Sequence, residues 1–151
     1  MKSLASNLLL TFILITFCVV ALAQSPDFTG HWRLNLDKSK LEHLPDGLTS
    51  SLFVIKQEGD VFRLTRYHIF GDKQNKISFK MKADGKTRRI KVLFKGKLEK
   101  EEAGLLATLW RKHFLNVVHY SFGASKDEFI ADETFTGKPQ DHHNRWVFDR
   151  E

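Results

Sequence analysis

The stretch Phe28-Thr29-Gly30-His31-Trp32-Arg33-Leu34 decides how the rest of this 151-residue chain is interpreted. It follows a short lead segment, and its apolar Trp32 and Leu34 alternate with polar neighbours, which is typical of a half-buried strand. A series of further short strands, each bounded by turn residues, follows it. This arrangement predicts that the segment is the first strand of an all-β domain.

Downstream of this stretch, apolar and polar residues alternate with a period of two, which predicts antiparallel strands with one buried face. The clearest alternating sets are Ile77, Phe79 and Met81; Ile90, Val92 and Phe94; and Val118, Tyr120 and Phe122. Between the turn residues we predict about nine strands, near 31–36, 49–57, 61–69, 75–82, 87–95, 104–111, 115–122, 128–135 and 143–150. The short consecutive hairpins predict an antiparallel up-and-down barrel of about eight to ten strands, with one short helical turn over Lys38–Leu44.

The opening resembles the Gly-x-Trp motif of the calycin barrels, the lipocalins and fatty-acid-binding proteins. The wider run Asp27–Lys40 resembles the start of small secreted bacterial lipocalin-like proteins, most of which have no assigned role. The resemblance implies that Trp32, following Gly30, closes one end of the barrel, and that an arginine of the last strand lies across its ring. Arg150 has the phase of the inward aromatic residues of that strand and Arg145 does not, so we expect Arg150 to cover Trp32.

The first segment has the pattern of an export signal. Lys2 precedes an almost wholly apolar run from Leu8 to Ala23, which ends in the small-x-small sequence that a signal peptidase recognises. We expect residues 1–23 to be a cleaved signal peptide and 24–151 to be one lipocalin-like domain, exported to the periplasm or secreted. An uncleaved anchor is the alternative. Cleavage would remove Cys18, the one cysteine, so a disulfide cannot stabilise the mature protein.

The formal net charge of +6 is spread over turns and outward strand positions. The chain has no basic run interleaved with aromatic residues, so we predict no nucleic-acid partner. The basic surface is interpreted as a solvated face that makes weak contact with anionic envelope polymers. No membrane span is expected after cleavage.

Motifs for catalysis and cofactor binding are missing from the sequence. It contains no Gly-x-Ser-x-Gly nucleophile motif and no glycine-rich phosphate loop. His142 and His143 are adjacent, and no His-x-x-x-His pair on a helix fixes a metal-ligand geometry. We therefore predict no enzyme activity, no cofactor and no metal site.

Three charged or titratable residues share the phase of inward apolar residues. Arg66 and His68 have the phase of Leu64, and Glu133 has the phase of Ala131. Buried charges are costly unless they are paired, so such residues could form a polar anchor in an apolar cavity. The alternatives are a β-bulge that changes the phase, or a position at the wet barrel mouth. The candidate ligand-binding residues are Arg66, His68, Glu133, Tyr120, Trp146 and Phe148.

The last strand separates two functional hypotheses. Intracellular fatty-acid-binding proteins often end in an Arg-x-Tyr pattern that holds the lipid carboxylate, whereas this chain has Trp146-Val147-Phe148 there. The absence of the Arg-x-Tyr pattern favours a neutral apolar ligand or a filled core. The first hypothesis is an exported binding protein for a small apolar ligand in the bacterial envelope. The alternative is a non-enzymatic structural or interaction protein with a filled barrel and a basic outer face.

Overall fold

The computed structural model describes residues 26–151, which form an antiparallel all-β barrel without a helix. The strands are β1 (Gly30–Leu34), β2 (Lys40–Leu41), β3 (Ser50–Glu58), β4 (Val61–Phe70), β5 (Lys73–Lys82), β6 (Arg88–Lys91), β7 (Phe94–Glu101), β8 (Gly104–Arg111), β9 (Phe114–Phe122), β10 (Glu128–Gly137) and β11 (His142–Arg150). The predicted signal peptide lies outside the described residues. No helix among residues 26–151 is long and apolar enough to span a membrane.

Ten strands pair in the order β5-β4-β3-β1-β11-β10-β9-β8-β7-β6, and β2 pairs only with β11. The first and last long strands close the barrel on one side, with Trp32 opposite Arg150 in the register. β5 and β6 are the two edges and do not pair with each other, which leaves one gap in the wall. The predicted up-and-down barrel is confirmed.

The helical turn expected over Lys38–Leu44 is wrong. The chain instead makes a tight turn, in which the Ser39 amide donates to the Leu36 carbonyl at 3.2 Å, and then forms β2 against β11. The β11 backbone competes successfully for these residues because Ser39 Oγ also accepts from the Val147 amide at 3.0 Å.

The single strand predicted over 87–95 is also wrong, because β6 and β7 form a hairpin with Val92 and Leu93 at its turn. Two-residue hairpin turns usually carry glycine, asparagine or aspartate. Two aliphatic residues give no turn signal, so the alternation continues straight through them.

The two ends of the barrel differ. The end that carries Trp32 and Arg150 is called the closed end here. The opposite end carries the turns at 71–72, 92–93 and 112–113 and is called the open end. Inward aromatic residues fill the closed half. We call this set of side chains the aromatic core: Phe28, Trp32, Phe53, Phe62, Phe122, Phe129 and Phe148.

Candidate functional site

Polar side chains meet inside the open half of the barrel, directly above the aromatic core. Arg66 and His68 come from β4, where strand alternation turns them inward behind Leu64. Glu133 projects from β10 and Asn116 from β9, and both point into the same space. The predicted phase of Arg66, His68 and Glu133 is therefore the phase that the structure shows.

Glu133 is the best satisfied member of this cluster. Its Oε1 accepts from Asn116 Nδ2 at 2.7 Å, and its Oε2 accepts from Trp146 Nε1 at 2.8 Å. Hydrogen bonds to an ionised carboxylate are among the stronger ones in proteins. The two donors therefore fix the carboxylate and the Trp146 ring against each other.

Arg66 is not satisfied in the same way. Its buried Nε has no hydrogen-bond acceptor among residues 26–151, and it forms no salt bridge with a carboxylate of that part of the chain. Burial lowers the pKa of the guanidinium, and the charge of Glu133 opposes this effect only in part. Arginine nonetheless stays protonated in proteins. The site thus holds a positive charge that its surroundings do not fully compensate.

Two neighbours of Arg66 stay neutral. Burial, followed by the charge of Arg66, lowers the pKa of His68 to about 4, so the imidazole is uncharged at neutral pH. The buried Nδ1 of His68 has no protein partner in the described chain. Burial also raises the pKa of the Tyr120 hydroxyl. Arg66 and Glu133 are therefore the charged groups of the cluster.

Three adjoining cavities share Arg66 and Asn116. A central cavity of about 50 Å³ contains the polar cluster and reaches down to Phe53 and Tyr120. A second, of about 250 Å³, lies behind the β5–β6 gap. It is mainly apolar and, in addition to the shared pair, is lined by Lys91 and by six apolar residues: Ile77, Phe79, Ile90, Phe94, Leu109 and Phe114. The third, of about 300 Å³, opens at the mouth.

The mouth is shaped by a loop fixed to β11. Asn144 is buried, and its side chain donates to the His43 carbonyl at 2.8 Å and accepts from the His43 amide at 3.0 Å. The His43 and His142 rings lie 5.0 Å apart, and Phe135 stacks on His142 at 4.7 Å. These rings form the rim through which the third cavity meets solvent.

Five of the six candidate ligand-binding residues line the central cavity: Arg66, His68, Glu133, Tyr120 and Trp146. Phe148 does not. Phe148 is fully buried. The centre of its ring lies 4.3 Å from that of Phe53 and 5.8 Å from that of Phe129, so it belongs to the aromatic core. It lies two residues nearer the closed end than Trp146, where the interior is already filled.

Sequence reasoning missed Asn116. The phase that turns Val118 and Tyr120 inward also turns Asn116 inward, two residues earlier on the same strand. That signal was available, but a lone asparagine near a predicted strand end resembles a turn residue. Its Oδ1 is buried without a donor from residues 26–151, the same condition as Arg66 Nε and His68 Nδ1.

The closed end has the opposite character. The Arg150 guanidinium carbon lies 4.2 Å from the centre of the Trp32 ring, and Trp32 Nε1 donates to the Phe28 carbonyl at 2.9 Å. Gly30 permits this approach, because a Cβ there would lie 2.6 Å from Arg150 Nη1. Arg145 faces outward and pairs with Asp132 at 2.5 Å.

Within residues 26–151, no group of three or more histidine, cysteine, aspartate or glutamate side chains is arranged to hold a metal ion. Glu133 is occupied by two hydrogen bonds, and no second carboxylate of the described chain joins it in the cavities. The arrangement is that of a binding cavity: an apolar space with a few convergent polar groups.

The architecture defines the chain as a calycin-type barrel, of the kind found in fatty-acid-binding and lipocalin-like proteins. No family model and no curated protein matches the sequence. Among solved structures, the chain is similar to fatty-acid-binding protein 1 of Echinococcus granulosus (13% identity, TM-score 0.57, 82% of this chain and 96% of that one). It is also similar to the zebrafish ileal bile-acid-binding protein complexed with cholic acid (15% identity, TM-score 0.53, 82% of this chain and 98% of that one).

A third similar structure is an abundant heat soluble (SAHS) protein of Ramazzottius varieornatus (16%, TM-score 0.52, 85% of this chain and 98% of that one). At these identities the likeness establishes the ten-strand barrel fold and nothing finer.

Proposed function

We propose that this chain is a non-enzymatic carrier for a small amphipathic molecule, with an apolar body and an acidic group that binds Arg66. The observation that carries the proposal is the buried Arg66 Nε, which has no acceptor in the described chain and faces a cavity. Two of the structurally similar barrels are a fatty-acid-binding protein and a bile-acid-binding protein, which supports a small ligand with an apolar body here.

The charge of the cluster favours an acidic group over a neutral one. Glu133 compensates Arg66 only in part, so the guanidinium remains a donor in a poorly hydrated space. A ligand carboxylate would supply the missing acceptor, and a charge-assisted bond of this type is roughly twice as strong as a neutral one. The last strand lacks the Arg-x-Tyr pattern, which by itself favours a neutral apolar ligand or a filled core, but β4 supplies a guanidinium from another direction.

The apolar body has a matching space. The cavity of about 250 Å³ behind the β5–β6 gap begins at Arg66 and Asn116 and is walled by aliphatic and aromatic side chains. Pockets for drug-sized ligands span roughly 300–1,000 Å³, so the expected ligand is small. The filled-barrel alternative fits the closed half, where the aromatic core is packed and buried.

We further propose that the carrier works outside the cytoplasm, in the bacterial envelope or the medium. The support is the Ala21-Leu22-Ala23 sequence at the end of the apolar run. N-terminal sequencing of protein from the envelope fraction should give Gln24. Recovery of Met1 would contradict cleavage.

The test of the ligand class is a titration with two fluorescent probes that share one hydrocarbon chain and end in a carboxylate or an alcohol. We expect saturable one-site binding, with the acid at least about tenfold tighter, the scale of one charge-assisted hydrogen bond. Arg66→Met should remove this preference. Arg63→Met, on the outward face of the same strand, is the matched control and should keep it. Equal affinity for both probes would contradict the acidic group, and no saturable binding would contradict the carrier function.

A further inference from the structure

The β6–β7 hairpin turn exposes two aliphatic side chains that folding does not explain. Val92 is 78% exposed and Leu93 is 67% exposed, far more than the other exposed large apolar residues of the described chain. The turn itself is well fixed, since Arg89 donates to the Val92 carbonyl from Nη2 at 2.9 Å and from Nε at 3.2 Å. The structure therefore holds two apolar side chains in water at a defined position.

A second pair of apolar residues lies on the outer wall beside this turn. Trp110 on β8 is paired with Leu115 on β9 and, on its other side, with Lys95 on β7. Alternation turns Trp110 and Leu115 away from the barrel interior; Leu115 is 40% exposed and Trp110 is half-buried. Tryptophan at such a boundary is typical of surfaces that meet the lipid–water interface.

Positive charge surrounds these apolar residues. Lys91 and Lys95 flank the turn, and Lys112 lies in the neighbouring β8–β9 turn, where a surface depression joins it to Leu93. In the part of the chain that the structure describes, none of these three lysines forms a salt bridge. From Lys73 to Lys97 the sequence contains one acidic residue, Asp84, which is paired with Arg88 near the closed end.

We propose that this corner docks the protein on an anionic lipid surface, with Val92 and Leu93 inserted among the acyl chains, Trp110 at the interface and the lysines on the phosphates. Apolar insertion combined with attraction of lysines to anionic lipid is how peripheral proteins bind membranes. A soluble anionic polymer would engage the lysines but gives no reason for the two exposed aliphatic residues. The corner flanks the open end, so a docked barrel presents its mouth beside the membrane.

The docking surface and the Arg66 cluster are built from different residues, and of the docking residues only Lys91 also lines the cavity behind the β5–β6 gap. Variants at Val92, Leu93, Lys95 and Lys112 therefore let vesicle binding and probe binding succeed or fail separately.

The test is sedimentation of the purified protein with vesicles of phosphatidylcholine alone or with a minority of phosphatidylglycerol. We expect binding only to the anionic vesicles. Val92→Ser/Leu93→Ser should weaken it by at least about tenfold, from the lost apolar contact. Lys95→Gln/Lys112→Gln should weaken it by about 25-fold, because each lysine near such a surface contributes about a factor of five.

The matched control is Leu44→Ser. Leu44 is 40% exposed at the same mouth, but it lies beside Glu42 and Asp46 in the loop held by Asn144. All variants share the same N-terminus, so any contribution from residues 1–25 cancels. Because all five positions substituted in these variants are exposed, melting temperatures should stay at the wild-type value.

Fluorescence gives an independent measurement. Trp32 and Trp146 are buried in the interior, so a blue shift of the tryptophan emission on adding anionic vesicles reports on Trp110. Trp110→Phe should abolish this shift. Equal binding to neutral vesicles would overturn the proposal. So would binding that is lost in the lysine variant but retained in Val92→Ser/Leu93→Ser, which would indicate a polyanion instead of a membrane.

Discussion

The closed half and the open half of this barrel are built from the same strands but by different rules. At the closed end the polar groups beside the core have partners: Trp32 Nε1 bonds the Phe28 carbonyl, and Arg150 bonds the Thr29 and Lys126 carbonyls and covers the Trp32 ring. At the open end, Arg66, His68 and Asn116 each leave a buried polar atom without a partner in the described chain.

The difference indicates that the two halves have different roles. Buried polar groups in proteins are normally satisfied, and exceptions mark places where something other than folding determines the sequence. The closed half supplies stability through packing, and the open half gives up stability to hold a cavity. The change in the free energy of unfolding should therefore differ in size, and even in sign, between substitutions in the two halves.

The largest loss of stability should follow Trp32→Ala. Truncation of a fully buried tryptophan costs about 3–5 kcal/mol, a large share of the total for a small domain. Trp146→Phe in the open half keeps most of the packing and removes one hydrogen bond to Glu133, so we expect a loss of about 1 kcal/mol. Urea unfolding of both variants measures the contrast, and equal losses would contradict it.

A smaller effect should appear in the pH dependence of unfolding. The folded pKa of His68 is about 4, below the unfolded value, so the unfolded chain takes up the proton first. The contribution of neutral His68 to the free energy of unfolding is therefore complete above about pH 6.5 and is lost as the pH falls to about 4.

Because the His68 side chain is partly exposed, we discount the shift to about 2 kcal/mol over this window. The measurement compares unfolding free energies of wild type and His68→Phe from pH 4 to 7; the control is His31→Phe, at an exposed position. Parallel curves for wild type and His68→Phe would show that the imidazole is not buried neutral.

The smallest effect concerns closure. Arg150→Gln should cost about 1 kcal/mol, the middle of the cation–π range. Arg145→Gln breaks only a partly exposed pair with Asp132 and should cost less than about 0.5 kcal/mol. A double-mutant cycle between residues 32 and 150 isolates the contact. Coupling between residues 32 and 145 instead would mean that the last strand is inverted.

Much of this barrel could be predicted from the sequence because strand phase is periodic. The inward positions of Arg66, His68 and Glu133 follow from alternation alone. The position of Arg150 opposite Trp32 follows from phase and antiparallel closure.

The missed features are those that periodicity does not encode. The Val92-Leu93 turn has no turn residue, so the pattern there predicts strand. The turn before β2 depends on a hydrogen bond from Val147 to Ser39, far away in sequence. Phe148 has the inward phase but lies in the filled half, and phase gives no information on depth along the barrel axis.

The central claim is that the Arg66 cluster serves a ligand and not the fold. Its most direct test is the unfolding free energy of Arg66→Met/Glu133→Gln without ligand, which removes both charges and leaves neither stranded. If the Asn116 amide flips, the side-chain amide that this variant carries at position 133 can donate to Asn116 Oδ1 and still accept from Trp146 Nε1, so both existing contacts of position 133 are kept. Replacement of buried charges by apolar or neutral groups is often stabilising, so the account predicts a gain of about 1 kcal/mol together with loss of acid-probe binding. A loss of stability comparable to that of Trp32→Ala would contradict it, because the cluster would then be part of the folded core.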